Sequence, residues 1–369
     1  MINKEKVCLT SVPKSGSGVG NIYLTRYFRK SPVKYITILP IWTGHYSFIA
    51  RAIAYAFLKS KILNTLSFIK DMIILPFVAY YIKCLLVNKE ELYFTMSSRS
   101  IYRLVWIFSA IGYQSKYKVI VWDPPNYITK FNSQSFGWVN KLDHFFFNQA
   151  IEKAELVITM GNRMNKVLGI SNLTNIACCK GVTEYCPGTL QSLTEATGFK
   201  IVFAGSIYAK DTWNSFIKAI ASVNWSVAGI PLKLIYVGTP SFHGVNIPDQ
   251  VICTGKMGHK KTMEIISNAH FGYAPYSFGM SFRDASAASF PGKVVDYITS
   301  GIPMIYHGPE ESEVNDVILR TGGGISINTK DKNDILKAIN EAVQRYTELR
   351  AETKKVHEKE LGFIYEAKN

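Results

Sequence analysis

Short apolar runs alternate along the chain with longer stretches whose apolar positions recur at helical spacing. Residues 7–12, 35–39, 91–97, 118–122, 156–160 and 174–179 read as strands, the last closing a first sheet. Residues 21–30, 100–111 and 161–168 read as the intervening helices. The rhythm resumes with strands at 200–204, 232–237, 251–253, 272–275 and 304–306, and a late one after Gly322-Gly323-Gly324. Helices are expected after Gly205, over 259–269, from Pro291 to Gly301 and over 331–358, with a polar-aromatic loop at 276–288. Strands alternating with helices in both halves predict two α/β domains, each on a parallel sheet. Residues 183–198, polar and containing Pro187 and Gly188, read as linker. The expected division is 1–185, a linker at 186–199, and 200–354, with the tail from about 355 returning to the first domain.

Residues 45–87 break the rhythm, being rich in apolar and aromatic side chains. The part from 62 to 87 is near the length of a membrane span, about 20 residues. Lys70, Asp71, Pro76 and Lys83 interrupt it, and Arg51, Lys59 and Lys61 precede it. A basic, aromatic, amphipathic segment suits the surface of a bilayer better than its interior. Two core helices of an α/β domain are the alternative.

The stretch from Ser289 to Tyr306, SFPGKVVDYITSGIPMIY, carries the most information. Pro291 suits an early helical position, where a missing N–H costs nothing. Val294, Val295 and Ile298 share one face, and Lys293 and Asp296 another. Gly301 ends the helix in a left-handed turn, and Pro303 stops it resuming. A helix start with a lysine in its first turn suits a phosphate, and a carboxylate one turn on suits ribose hydroxyls.

This stretch resembles the P-S-K-x-x-E-Y-x-x-x-G-x-P-V-I signature of sugar-nucleotide-dependent glycosyltransferases of the GT-B fold similar to family 4. The resemblance implies two Rossmann-like domains with parallel sheets facing across a central cleft. It implies that Pro291 and Lys293 lie near the donor diphosphate and that Asp296 binds the ribose. Asp296 stands where Glu is usual, and Ala288 where many retaining members carry an acid, so the stereochemical outcome stays open. Residues 199–220, F-K-I-V-F-A-G-S-I-Y-A-K-D-T-W-N-S-F-I-K-A-I, resemble the family's opening strand, turn and basic residue. Gly205 then allows close approach of a ligand, and Lys210 with Lys293 makes a two-cation clamp on the diphosphate. The resemblance further implies that Lys256 and Met257 meet the nucleobase, and Arg283 the donor sugar or phosphate.

In the first half, residues 13–20 (P-K-S-G-S-G-V-G) form a glycine-rich loop between strand and helix. Gly16, Gly18 and Gly20 are spaced G-x-G-x-G, and the second strand ends at Pro40 instead of an acid, so nicotinamide binding is excluded. The resemblance puts these glycines beneath the donor phosphates; a tight connection is the alternative. Asp123 follows a buried strand, at the sheet edge where α/β proteins bind ligands. It is the leading catalytic base, with His45 as competitor; a turn before Pro124 and Pro125 is the plainer role for it.

Charge adds to this picture. The net charge is +15, from 42 basic and 27 acidic residues. The basic residues are scattered, with no finger, RNP-like motif or basic heptads, so nucleic acid is not the expected partner. Anionic small molecules and an anionic bilayer remain. The six cysteines show no metal-ligand spacing, and no paired carboxylates of DxD type appear, so neither metal nor cofactor is expected. The first residues have no apolar h-region, which predicts a cytoplasmic protein. The resemblance, taken with these features, implies a hexosyltransferase-like enzyme on the inner membrane face. Its expected acceptor is a saccharide, polyprenyl-diphosphate-linked, in assembly of a capsule or O-antigen type surface polysaccharide. A non-catalytic subunit supporting a partner enzyme, and a sugar-nucleotide epimerase of the same fold, are the alternatives.

Overall fold

The computed structural model describes residues 6–10, 33–37, 61–85, 91–111, 117–125, 136–189, 198–239, 245, 247–361 and 365–366. The chain divides into two compact units, Met1–Cys178 with Ile364–Asn369, and Cys179–Phe363. The break thus falls ahead of the expected linker, and only the last few residues group with the first unit.

The sheet of the first unit comprises β1 (Lys6–Thr10), β2 (Val33–Thr37), β3 (Glu91–Thr95), β4 (Tyr117–Ile120), β5 (Leu156–Thr159) and β6 (Ile176–Cys178). Outside β6 lies β14 (Tyr365–Glu366), in the order β14-β6-β5-β4-β3-β1-β2. All described pairs are parallel except β14 with β6. The strand at 174–179 therefore does not close the sheet, because the returning tail adds an edge. Val119, Ile120, Val157 and Ile158 are buried, as expected for parallel strands covered on both faces.

Helix α1 (Lys61–Leu85) is a single helix with Pro76 inside it, and the helix expected ahead of it lies outside the described residues. Phe68, Asp71, Leu75, Ala79 and Ile82 recur three and four residues apart and are buried. They pack on α2 (Arg99–Ala110), which in turn packs on α3 (Gly137–Glu152). Arg103 joins the three helices: its guanidinium donates to Asp71 at 2.7 Å and to Asp143 at 2.8 and 2.9 Å. A buried charge at the middle of α1 therefore faces its own unit. The opposite face is apolar and open, with Phe77 74% and Ile73 61% exposed. Sequence pattern assigned nothing to α3, where the run Phe145-Phe146-Phe147 blurs the helical period. Helix α4 (Asn162–Leu168) follows β5 and ends at Gly169 with φ +68°.

In the second unit the strands are β7 (Phe199–Ala204), β8 (Ser226–Val227), β9 (Ile230–Val237), β10 (Ile252–Cys253), β11 (Phe271–Pro275), β12 (Met304–His307) and β13 (Gly324–Ile327). Their order is β10-β9-β7-β11-β12-β13, all parallel, with β8 antiparallel on β9. The helices are α5 (Lys210–Ala221), α6 (His259–Ser267), α7 (Arg283–Ala288), α8 (Gly292–Thr299), α9 (Glu313–Thr321), α10 (Lys332–Gln344) and α11 (Tyr346–Glu360). The loop expected at 276–288 thus holds α7, preceded by a 3-10 turn at Met280–Phe282. The single helix expected over 331–358 is two, meeting at Arg345. Phe203, Trp213, Phe216, Tyr236 and Tyr273 fill the core between sheet and helices.

Part of the expected linker packs as a fixed strap of the second unit. The Cys186 and Gly188 N–H groups donate to the Thr299 and Ser300 carbonyls at 2.8 and 3.1 Å. The Arg350 guanidinium donates to the Gly188 carbonyl at 2.6 Å. Just ahead of this strap, Lys180 lies 3.0 Å from both Glu313 and Glu360.

Candidate active site

The best-formed site in the second unit begins where two strands part. β7 and β11 are in register only at Ile201–Phe271 and Val202–Gly272. Beyond that point the Tyr297 hydroxyl stands between them, accepting from the Ala204 N–H and donating to the Tyr273 carbonyl, each at 3.2 Å. A Cβ at Gly272 would lie 2.3 Å from the Tyr297 ring, so glycine is what lets α8 sit this close. At its far end α8 closes as expected. Gly301 takes φ +65°, its N–H reaches the Ile298 carbonyl, and that of Ile302 reaches the Tyr297 carbonyl. That pair of bonds is the Schellman motif.

The start of α8 faces the loop that follows β7. Pro291 is the N-cap, with φ −74° and ψ 154°, and no side chain among the described residues caps the helix. Lys293 stands in the first turn. Its ammonium lies 4.2 Å from the centre of the Phe203 ring and 5.3 Å from that of Tyr208. Among the described residues no carboxylate pairs with it. Desolvation pushes its pKa down to about 7. Ring faces attract a cation but supply no charge, so an oxyanion brought here meets an ammonium with no competing partner.

Gly205 and Lys210 flank Tyr208 in the segment that leaves β7. Gly205 has φ +109°, and nothing lies within 4 Å of where its Cβ would be. Lys210 opens α5 two residues beyond Tyr208 and is half-buried. The first turn of α5 also holds the segment after β11. Asp211 accepts from the Ser277 hydroxyl at 3.1 Å and the Phe278 N–H at 3.3 Å, and the Thr212 hydroxyl donates to the Tyr276 carbonyl at 2.6 Å. His307 anchors the end of β12. Its Nε2–H donates to the Thr329 carbonyl at 2.7 Å and its Nδ1 accepts from the Tyr273 hydroxyl at 2.9 Å. Burial pushes its pKa down to about 4, so it stays neutral.

One turn along α8, Asp296 is buried and lies 3.1 Å from His259 Nε2. His259 begins α6, directly after the loop carrying Lys256, which is exposed, and Met257. The structure thus brings the expected ribose carboxylate beside the expected base loop. Arg283 is exposed at the start of α7. Phe203, Tyr208 and His259 were not singled out from the sequence. The first two read as strand and loop residues, and the third as a helix start.

In the first unit Asp123 follows β4, partly exposed, and desolvation raises its pKa to about 6. Such a carboxylate takes up a proton near neutrality, which a general base requires. Gly16, Gly18, Gly20 and His45 lie outside the described residues. Among the described residues no three His, Cys, Asp or Glu side chains cluster as metal ligands.

No protein-family model matches the chain, and no curated protein matches it by sequence. Solved structures do. A UDP-forming α,α-trehalose-phosphate synthase from Burkholderia xenovorans, in complex with glucose-6-phosphate, superposes with a TM-score of 0.62 at 10% identity, over 97% of each chain. Sucrose-phosphate synthase from Thermosynechococcus elongatus gives 0.61 at 13% identity, over 96% of this chain and 94% of that one. The fold is GT-B. Anabaena HepE, in complex with UDP and glucose, adds a TM-score of 0.57 at 13% identity, over 97% and 96% of the two chains. At such identities the likeness carries the fold and leaves the chemistry to the residues themselves.

Proposed function

We propose that this GT-B protein is a glycosyltransferase that moves a sugar from a nucleotide-sugar donor to a saccharide acceptor, without a metal ion. One observation carries the reading. Lys293 offers a desolvated ammonium, without a carboxylate partner among the described residues, at the start of a helix and beside an open glycine turn. A diphosphate leaving group fits that corner, with Lys210 as the second cation. Charge built up on the leaving group is then neutralised by preorganised positive groups. The His259–Asp296 pair receives the ribose, and the loop at Lys256 and Met257 the base. The neighbours support the donor class: one is UDP-forming and another was solved with UDP and glucose. Asp123 is the proposed base that takes the proton of the acceptor hydroxyl.

The acceptor is proposed to be lipid-linked, used at the inner membrane face in surface polysaccharide assembly. Supporting this, the open face of α1 carries Leu66, Ile69, Ile73, Phe77 and Tyr80. Trp138, on α3, meets Phe68 edge-on at 5.6 Å and is 49% exposed. Apolar and aromatic side chains on a protein of net charge +15 suit an anionic lipid surface.

Turnover tests the reading. Donors on uridine, guanosine and cytidine are screened with polyprenyl-diphosphate saccharides. Nucleoside phosphate release that needs an acceptor is expected. Release from no donor would leave a non-catalytic subunit, and a new sugar formed from donor alone would mean an epimerase.

A further inference from the structure

Hydrogen-bond accounting in the first unit leaves two buried hydroxyls unexplained. Tyr102 is fully buried, and among the described residues its hydroxyl has no partner. The Ser98 hydroxyl is likewise buried and unpaired. Buried hydroxyls in folded proteins are nearly always hydrogen-bonded, so two orphans in one place point to an absent partner. They do share one place. Ser98 is the N-cap of α2 yet makes no side-chain cap bond. Tyr102 lies one turn on, and helical side chains lean toward the N-terminus. Its ring is held edge-on against Phe147 at 4.9 Å, so the hydroxyl cannot swing freely.

The third member comes from the adjacent strand. β3 and β4 pair in parallel up to Thr95–Ile120, and the Met96 N–H continues the ladder to the Ile120 carbonyl. The loops leaving these strands carry Ser98 and Asp123 at the same edge of the sheet. Burial raises the Tyr102 pKa, and the nearby charges of Asp123 and Asp143 add to the shift. Ser98 and Asp123 are both partly exposed, so the group has a mouth as well as a floor. The nearby cation is occupied, since Arg99 pairs with Asp143 at 3.2 Å.

We infer that Ser98, Tyr102 and Asp123 form a binding site for a neutral, hydroxyl-bearing group, with Tyr102 as its positioning floor. A sugar hydroxyl donates to the carboxylate while accepting from Tyr102 or Ser98. A phosphate or carboxylate would meet the Asp123 charge, while the neighbouring Arg99 guanidinium is, among the described residues, already engaged by Asp143. Calling this group part of the acceptor rests on the glycosyltransferase reading; the site itself rests on the orphaned hydroxyls.

The test uses Tyr102→Phe and Ser98→Ala in the full chain, with a panel of neutral methyl glycosides as probes. Binding is followed by saturation-transfer NMR and stability by thermal melting. Tyr102→Phe keeps the ring against Phe147 and removes only an unpaired hydroxyl. It is expected to melt no lower than wild type while weakening glycoside binding about three- to tenfold. Ser98→Ala is expected to weaken binding in the same sense. A lower melting temperature for Tyr102→Phe would reveal an internal partner and overturn the inference. So would glycoside binding unchanged in both variants, or none in wild type, which would leave an ordered water as the missing partner. Nucleoside diphosphate binding, measured in parallel, is expected to be unchanged in both variants. Its absence from wild type would count against the function proposed above without touching the glycoside result.

Discussion

Lys293 sets the behaviour of the candidate site at the scale of a single residue. Its pKa of about 7 lies below the ordinary 10.5 because desolvation penalises the charged form. The unfolded chain therefore binds more protons than the folded one between about pH 7 and 10.5. Stability contributed by this group rises with pH across that window. Anion binding runs the other way, because a bound diphosphate favours the ammonium, so affinity falls as pH rises above about 7. Lys293→Met is expected to flatten both profiles, measured by urea denaturation and by calorimetric titration with UDP. Parallel slopes in wild type and variant would show that Lys293 is not the titrating group. The motif made Lys293 legible as a cation near phosphate, because a lysine in the first turn of a helix after a proline is a local feature. Its dry, aromatic setting was not legible. Phe203 and Tyr208 come from β7 and the loop after it, nearly ninety residues away, and only the sheet brings them to α8.

The same contrast appears in the elements. The start and stop of α8 were readable from Pro291, Gly301 and Pro303, since caps depend on neighbours in sequence. Gly301→Ala puts a side chain at φ +65° and a Cβ 2.7 Å from the Tyr185 hydroxyl. It is expected to cost about 1–3 kcal/mol, read from chemical denaturation; an unchanged midpoint would contradict both the left-handed strain and the tight contact with Tyr185. Helix α1 was readable as apolar but not as docked. What docks it is a buried charge set drawn from three helices, one of which carries no clear period. Arg103→Met would remove the cation shared by Asp71 and Asp143, each less than 10% exposed, and leave Asp143 to Arg99 and Asp71 to Lys70 and Ser100. A loss of about 3–5 kcal/mol is expected. A smaller loss, with α1 still ordered, would mean that Arg99 and Ser100 satisfy both carboxylates. The break at Arg345 was missed for a related reason. Charged residues continue on both sides of it, and Arg345 binds Glu341 and Glu348 across the joint at 2.6 and 2.8 Å.

For the molecule as a whole, alternation of strand and helix was enough to predict two parallel α/β units. The strand order and the antiparallel edge made by residues 365–366 were not, because pairing between distant segments leaves no local trace. Under the proposed function the open apolar face of α1 and the net charge of +15 would act together at this scale. In vesicle sedimentation the protein is expected to bind phosphatidylglycerol-containing membranes, and Phe77→Asp with Ile73→Asp to release it. Binding to neither neutral nor anionic vesicles would contradict a membrane-facing role, and equal binding to both would contradict a contribution from the charge.

Under the proposed function the second unit holds a nucleoside diphosphate on Lys293. Isothermal titration with UDP, GDP and CDP tests it most directly, in wild type and in Lys293→Ala at pH 7. One nucleotide is expected to bind, and the variant to lose at least about tenfold in affinity, the 1.4 kcal/mol or more of a charge-assisted contact. Equal affinity in the two proteins, or no binding of any of the three to wild type, would contradict the account.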